Sequence, residues 1–137
     1  KKIISAKTPI LGICLGMQLL ADRGTEGGDC EGLGIISGEV ARLKSTDTKE
    51  RIPHVGWNEV VSTRRTGILD GIADGSDFYF VHSYHFVPKD PAHIAATTPY
   101  AGKFVSVVES GNVRGVQFHP EKSSKPGFAL IRNFLKS

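Results

Sequence analysis

The stretch TPILGICLGMQLLA, residues 8–21, decides the fold of this chain. Its first apolar run, Pro9 to Ile13, has the length of a buried strand. Apolar residues at helical spacing follow from Leu15 to Asp22, with no helix breaker after the first turn. The pattern therefore predicts a strand that passes directly into a helix, with Cys14 on the turn between them.

Glycines flank Cys14 on both sides and favour a crowded turn. Gly12 and Gly16 would leave room for a tight bend that lifts the side chain at its apex clear of the sheet. A cysteine at the start of a helix also faces the positive end of the helix dipole, which predicts a thiolate rather than a thiol. The local pattern leaves two interpretations open, because a free cysteine also packs as a small apolar side chain in many cores.

Composition excludes several classes of protein. The 137 residues, 39% of them hydrophobic, predict one domain with a core of its own. The net charge of +3 comes from scattered basic residues, which argues against binding to nucleic acid. The sequence has no apolar run of membrane-spanning length and no signal peptide, so we expect a soluble cytoplasmic protein. Cys14 and Cys30 are too few for a disulfide framework and lack the spacing of a zinc site.

The rest of the chain alternates strands with glycine-rich loops. We predict the tail of a helix and a turn over Lys1–Lys7, a loop over Arg23–Gly34, and a loop with a helical turn around Ile68–Ile72 over Thr63–Asp77. Strands are predicted at Ile35–Leu43, Ile52–Ser62 with a break at Gly56, Phe78–Phe86, Ile94–Thr98, Lys103–Glu109 and Val113–Phe118. The closing helix is predicted at Gly127–Lys136, with an apolar stripe formed by Phe128, Ile131, Phe134 and Leu135.

Two histidines end the aromatic strand FYFVHSYHF. His82 and His85 are three residues apart, and residues at that spacing on a strand point to opposite faces. The spacing therefore argues against a shared metal ion, and we predict neither a metal nor a cofactor for this chain.

A histidine and a carboxylate follow the last predicted strand. Pro120 disfavours the helical region for the preceding residue, so His119 is expected to be extended. In an extended segment residues two apart share a face, which brings Glu121 beside the imidazole. A carboxylate in that position fixes the tautomer of a histidine and stabilises its protonated form, as a general base requires.

Together these groups indicate acyl transfer through a thioester. Cys14 would attack a carbonyl carbon, His119 would accept and return protons, and Glu121 would orient His119. The backbone N–H of Leu15, at the start of the predicted helix, is the best candidate for stabilising the tetrahedral oxyanion. The combination is much more specific than any of its parts.

PILGICLGMQLL and GVQFHPEKS together resemble the nucleophile and His-x-Glu motifs of the triad (class I) glutamine amidotransferase family. Within that family, PHVGWNEV at Pro53–Val60 and FYFVHSYHF at Phe78–Phe86 are similar to the glutaminase subunit of imidazole glycerol phosphate synthase. The resemblance implies an α/β fold with a doubly wound, mostly parallel central sheet and antiparallel additions, of the flavodoxin-like kind. It covers essentially the whole chain.

The resemblance also implies an activity and a partner. Glutamine would be hydrolysed to glutamate and ammonia, and the ammonia would pass to a (β/α)8-barrel cyclase subunit that makes imidazole glycerol phosphate in histidine biosynthesis. Cys14, His119 and Glu121 match the triad of the family. The resemblance also implies that four residues hold the amino acid part of glutamine, namely Gln18, His82, Ser83 and Tyr84. It places Trp57 near the surface that contacts the cyclase.

One departure from the family pattern concerns the start of the sequence. Members begin with about two βα units and a glycine-rich loop that completes the oxyanion hole, and the sequence before Lys1 does not supply them. We therefore interpret residues 1–137 as the C-terminal portion of an amidotransferase domain. Because loss of one oxyanion donor costs about 100- to 1000-fold in rate, this polypeptide alone is expected to be inactive or poorly folded.

Other functions fit the same motifs. A paralogous amidotransferase that feeds ammonia to another synthase would carry the same triad, because the partner subunit selects the acceptor. A catalytically silent regulatory module would have no reason to retain Cys14, His119 and Glu121 together. A thiol peptidase or γ-glutamyl hydrolase fits the triad but not the two middle motifs.

Overall fold

The computed structural model describes residues 5–64 and 67–137. The predictions made for residues 1–4 and 65–66 lie outside these described residues. The strands are β1 Ile10–Ile13, β2 Arg23–Gly24, β3 Cys30–Glu31, β4 Gly38–Arg42, β5 His54–Ser62, β6 Ser76–His82, β7 Tyr84–Pro88, β8 Ile94–Thr98, β9 Phe104–Ser110 and β10 Val113–Val116. The helices are α1 Leu15–Gln18 and α2 Ser124–Leu135, with short 3-10 helices at Gly67–Leu69, Pro91–His93 and Pro120–Lys122.

The strands form two sheets. The larger has the order β1-β10-β9-β8-β5-β6, and the smaller has the order β3-β2-β4-β7. The α/β class is confirmed as a mixed sheet with few helices. The parallel majority implied by the family resemblance is not seen in the described strands, where only β1–β10 and β2–β4 pair in parallel. Short connections explain this, because strands such as β9 and β10, joined by two residues, can pair only antiparallel.

The aromatic stretch FYFVHSYHF forms two strands rather than the single predicted one. Strand β6 pairs with β5 in the larger sheet, whereas β7 pairs with β4 in the smaller sheet. The chain changes sheets at Ser83, where alternating apolar residues continue on both sides and give no signal of the change. The break expected at Gly56 does not occur, since glycine adopts its positive φ of 131° inside β5.

The helix after Cys14 is shorter than predicted. It ends at Gln18, and the backbone carbonyls of the next three residues accept hydrogen bonds from the loop at residues 33–36 instead of from a following helical turn. The predicted loop Arg23–Gly34 contains the short strands β2 and β3, which pair with each other. The elbow helix is therefore a single turn docked against this loop.

The closing helix packs on a different face from the predicted stripe. Phe128 and Leu135 are 58% and 76% exposed, while Gly127 and Leu130 are buried. The reason is the close approach at Gly127, where a Cβ atom would overlap the backbone carbonyl of Pro120. This contact turns the helix so that its small residue faces the 3-10 helix Pro120–Lys122.

Phenylalanines from β6, from β9 and from the segment after β10 fill the core beneath the larger sheet. Phe78 and Phe118 pack with ring centroids 4.2 Å apart, and Phe80 contacts both Phe104 and Phe118 edge to face. These rings are buried, and burying a side chain of this size contributes about 1.5–3 kcal/mol. The segment that carries His119 is thus anchored by the ring just before it.

Candidate active site

Cys14 lies on a strained turn at the end of β1. Its backbone has φ 51° and ψ −107°, a conformation that costs a non-glycine residue about 1–3 kcal/mol. A Cβ atom on Gly12 would lie 2.6 Å from the carbonyl oxygen of Gly16, so glycine is required at position 12. The expectation for position 16 is wrong, since a Cβ there would meet nothing within 4 Å.

The end of β10 brings His119 to the same edge of the sheet. Strands β1 and β10 are adjacent and parallel, with Ile13 opposite Val116, and the N–H of Cys14 donates to the carbonyl of Val116 at 2.8 Å. His119 follows three residues later, and its N–H donates to the carbonyl of Tyr79 at 2.9 Å. Cys14 and His119, 105 positions apart in sequence, therefore lie at the same edge of the sheet because two adjacent parallel strands end together.

The imidazole of His119 contacts the carboxylate of Glu121. Nδ1 of His119 lies 2.6 Å from Oε1 of Glu121. The contact forms through the 3-10 helix Pro120–Lys122 rather than along the extended chain that the sequence suggested. Because Nδ1 faces a carboxylate, Nε2 is the ring nitrogen left to exchange protons with a reacting group.

The sulfur of Cys14 is a thiol in the resting structure. Burial is the largest influence and raises its pKa, while the N–H of Leu15 and the side chain of Gln117 lower it to a smaller extent. The carboxylates of Glu121 and Glu26 raise the pKa further. The predicted thiolate is therefore not supported, since α1 has only four residues and its dipole cannot offset burial of the sulfur.

The side-chain amides of Gln117 and Gln18 are buried and are connected to the sulfur by hydrogen bonds. The Gln117 amide nitrogen is 3.7 Å from Sγ of Cys14, and its oxygen accepts from Nε2 of Gln18 at 3.2 Å. Nε2 of Gln18 also donates to the carbonyl of Tyr84 at 3.0 Å. Both amide hydrogens of Gln18, one of the predicted glutamine-binding residues, are therefore used inside the protein.

His82 is placed in the core rather than facing an open site. Its Nδ1 lies 2.8 Å from the carbonyl of Tyr84, and its Nε2 lies 2.9 Å from Nδ1 of His54. Burial lowers the pKa of both histidines to about 4. Both ring nitrogens of His82 are thus occupied, while its predicted companions Ser83 and Tyr84 are half-buried.

The whole chain matches a known sequence family. The family model described as glutamine amidotransferase class-I matches residues 1–137. The chain belongs to this family. It is 53% identical over 134 residues to imidazole glycerol phosphate synthase subunit HisH of Pyrococcus furiosus, and 47% identical over 132 residues to the subunit of that name from Pelagibacter ubique. These alignments cover 97% and 96% of the chain but only 67% and 64% of the two relatives, so the chain spans about two thirds of their length.

Solved structures support the amidotransferase fold at lower identity. The PurLQS structure from Thermotoga maritima superposes with a TM-score of 0.71 at 20% identity, covering 98% of this chain and 64% of that one. A glutamine amidotransferase from the same organism superposes with a TM-score of 0.67 at 21% identity, covering 98% of this chain and 50% of that one.

Sequence reasoning missed three residues that the structure connects to Cys14 or to His82. Gln117 is a polar residue between two apolar ones in a predicted strand, two positions before His119, and this position is the signal by which it could have been found. His54 sits in the PHVGWNEV motif, but the sequence does not reveal that its ring meets His82. Glu26 lies in a glycine-rich loop, and nothing in the sequence distinguishes it from the other loop carboxylates.

A cavity opens beside the elbow of the amidotransferase chain. It has a volume of about 320 Å³ and is lined by the exposed side of α1, by β2 and by the glycine-rich loop, including Leu15, Gln18, Glu26 and Cys30. Within residues 5–64 and 67–137 no three histidine, cysteine or carboxylate side chains cluster as a metal site would require. Over the same residues, no helix combines the length and apolar character needed to cross a bilayer.

Trp57 lies on an exposed apolar surface. Strands β5 and β6 place Val55 opposite Val81 and Trp57 opposite Tyr79. Trp57 is 53% exposed and packs edge to face on Tyr79 at 5.9 Å. We call these four residues the ribbon face. The backbone of two of these residues contacts the predicted triad. The carbonyl of Tyr79 accepts from the N–H of His119, and the carbonyl of Val81 lies 3.9 Å from Sγ of Cys14.

Proposed function

We propose that this chain carries the glutamine-hydrolysing site of a class-I amidotransferase. One observation carries the proposal. A cysteine on a strained elbow ends β1, and a histidine paired with a carboxylate follows the adjacent parallel strand β10. Family membership supports glutamine as the substrate, because the matching model is that of the class-I glutamine amidotransferases.

The first half of the reaction forms a thioester. Nε2 of His119 accepts the thiol proton as Sγ of Cys14 attacks the side-chain carboxamide carbon of glutamine. A general base is needed here, because burial raises the pKa of Cys14 and keeps the sulfur protonated at rest. The resulting tetrahedral oxyanion is held by the backbone N–H of Leu15. Collapse breaks the C–N bond, and the proton on His119 passes to the departing ammonia.

The second half hydrolyses the thioester. His119 removes a proton from water, whose oxygen attacks the thioester carbon, and the collapse of that intermediate breaks the C–S bond. The proton returns from His119 to the sulfur, which restores the thiol and releases glutamate. Glu121 stabilises the imidazolium in both halves, because its carboxylate faces Nδ1 at 2.6 Å.

The cavity beside the elbow is the proposed glutamine pocket. The carboxylate of Glu26 would pair with the α-ammonium group of the substrate, since it lines the cavity and its charge reaches Cys14. Ser83 and Tyr84 remain proposed contacts to the amino acid part of glutamine. Gln18 and His82 would not contact glutamine directly. They would hold Tyr84 in position through its carbonyl, which both side chains contact.

Covalent labelling tests this function. The full-length protein, together with its partner, is treated with a glutamine-mimicking diazo-ketone and analysed by peptide mass spectrometry. We expect stoichiometric modification of Cys14, protection by glutamine, and no modification of Cys30. Labelling that bypasses Cys14, or that glutamine does not slow, would contradict a glutaminase site here.

The ammonia acceptor and the partner form the finer part of the proposal. The relatives named above are subunits of imidazole glycerol phosphate synthase, so we propose that the ammonia serves a (β/α)8-barrel cyclase subunit in histidine biosynthesis. The complex would be a cytoplasmic heterodimer. The ribbon face is the proposed contact surface, because it is apolar, exposed and continuous with the backbone of the site.

Trp57→Ala is expected to weaken binding to the cyclase by about 30-fold or more, as truncation of an aromatic anchor at an interface does. Titration calorimetry of the full-length protein with the cyclase measures this loss. Phe128→Ala is the matched control, because Phe128 is similarly exposed at 58% but lies on α2. Equal affinities of the two variants would remove the ribbon face from the interface.

A further inference from the structure

The roles proposed for the triad do not explain why the side-chain amide of Gln117 is buried next to the nucleophile. Gln117 has no exposed surface, yet its side chain reaches Sγ of Cys14 at 3.7 Å. A buried amide requires partners for its polar atoms, and a residue serving only to fill the core would be apolar. The position of Gln117 therefore points to a role at the sulfur.

Hydrogen bonds fix which atom of Gln117 faces the sulfur. Its Oε1 accepts from Nε2 of Gln18 at 3.2 Å, so its Nε2 is the atom directed at Cys14. A flipped amide would place two donor groups together and leave the sulfur facing an oxygen. Gln117 thus presents an N–H donor to Sγ from a fully buried position that does not line the cavity.

Gln18 is held in turn by a carbonyl shared with a buried histidine. The Tyr84 oxygen accepts from Gln18 Nε2 at 3.0 Å and lies 2.8 Å from Nδ1 of His82. Since a carbonyl can only accept, Nδ1 of His82 carries the hydrogen and its Nε2 is an acceptor. That nitrogen then accepts from Nδ1 of His54 at 2.9 Å.

The far end of this sequence of bonds lies on β5. Nε2 of His54 is left as an acceptor, and the amide of Asn58 donates to it at 3.3 Å. While both histidines are neutral, the donor and the acceptor of each hydrogen bond between Asn58 and the sulfur of Cys14 are therefore fixed. The arrangement has no alternative that keeps every buried group paired.

We propose that Gln117 is a positioning residue for the thioester chemistry, which holds Sγ of Cys14 in place and stabilises its negative charge as the proton leaves. This inference rests on the proposed glutamine hydrolysis. It adds a hydrogen-bond donor to the sulfur of the nucleophile, whereas the backbone N–H of Leu15 donates to the oxyanion. A hydrogen bond to a charged group is typically worth a factor of about 10 to 100, and sulfur is a weak acceptor. We therefore expect the low end of that range.

Alkylation of the thiol tests the proposal without glutamine. The full-length protein and its Gln117→Met and Gln117→Leu variants react with iodoacetamide from pH 6 to 10, and the Cys14 and Cys30 peptides are quantified by mass spectrometry. Both variants lack the donor but differ in shape. We expect each to alkylate at Cys14 about tenfold more slowly at neutral pH, with the rate profile displaced to higher pH, and at Cys30 as wild type.

Ser106→Ala is the matched control. Ser106 is equally buried, its carbonyl accepts from the N–H of Gln117, and its hydroxyl has no partner among the described residues. Its removal is expected to leave the Cys14 profile unchanged. Wild-type profiles at Cys14 in both Gln117 variants, or an equal displacement in Ser106→Ala, would overturn the proposal.

Steady-state kinetics of the complex add a second readout. Because Gln117 does not line the cavity, Gln117→Met should lower kcat about tenfold and leave KM for glutamine unchanged. A rise in KM alone would overturn the role proposed here. Failure of diazo-ketone labelling in the wild type would instead count against glutamine hydrolysis, and the alkylation profiles would still report on Gln117 and Cys14.

Discussion

Replacing Cys14 by glycine is expected to abolish glutamine hydrolysis and, at the same time, to stabilise the protein. Loss of a catalytic nucleophile typically lowers kcat by about 10,000-fold or more. The same residue has φ 51° and ψ −107°, which glycine adopts without strain and cysteine does not. Relief of about 1–3 kcal/mol of backbone strain exceeds the roughly 0.5–1 kcal/mol that added chain freedom of glycine costs.

Cys14→Ala separates the two effects. Alanine also lacks the thiol, but it keeps a Cβ atom in the strained conformation. The full-length protein with its partner is assayed for glutamate release, and urea unfolding gives the free energy of unfolding of each variant. Both variants should be inactive, with the glycine variant about 1 kcal/mol more stable than the alanine variant. Equal stabilities would mean that the elbow is not strained, and residual turnover near wild type would mean that Cys14 is not the nucleophile.

The second large effect is a loss of stability in mild acid caused mainly by the buried pair His54 and His82, to which His85 adds because burial also lowers its pKa. Burial lowers the pKa of each ring of the pair to about 4, against 6.5 for a free histidine. Between these values the unfolded chain binds protons that the folded chain does not. Stability is therefore fully present above pH 6.5 and falls as the pH drops toward 4, by about 3 kcal/mol for a shift of this size in one histidine.

Urea unfolding of the full-length protein at several pH values between 7.5 and 4 measures this loss. The double variant His54→Gln and His82→Gln is expected to be less stable at pH 7 but to show a flatter dependence on pH. His93→Gln is the control, since His93 lies apart from the pair on the 3-10 helix Pro91–His93. A double variant with the wild-type slope would show that other groups cause the acid sensitivity.

The sequence predicted those parts of the site that depend on local chemistry. Glycine at position 12 and the apolar run before Cys14 specify a strand and a crowded turn within a few residues. The His119–Glu121 contact is also local, because the two residues lie within one turn after β10. Patterns of this kind are readable because neighbouring residues decide the outcome.

The parts that sequence reasoning missed depend on contacts between distant segments. The elbow helix ends at Gln18 because carbonyls after it bind a loop some fourteen residues away, which no helical pattern records. The division of FYFVHSYHF at Ser83 depends on two separate partner strands, β5 and β4. The thiolate expected at Cys14 failed for the same reason, since burial of the sulfur comes from tertiary packing.

The parallel pairing of β1 with β10 also has a consequence for timing during synthesis. The nucleophile is translated before its base, and the base His119 and the amide of Gln117 follow more than one hundred residues later. At about 5–20 residues per second, Cys14 would wait roughly 5–20 s before β10 can pair beside it. During that interval the nascent chain holds an ordinary thiol without the histidine proposed to activate it, so the proposed hydrolysis of glutamine cannot begin before β10 has paired with β1.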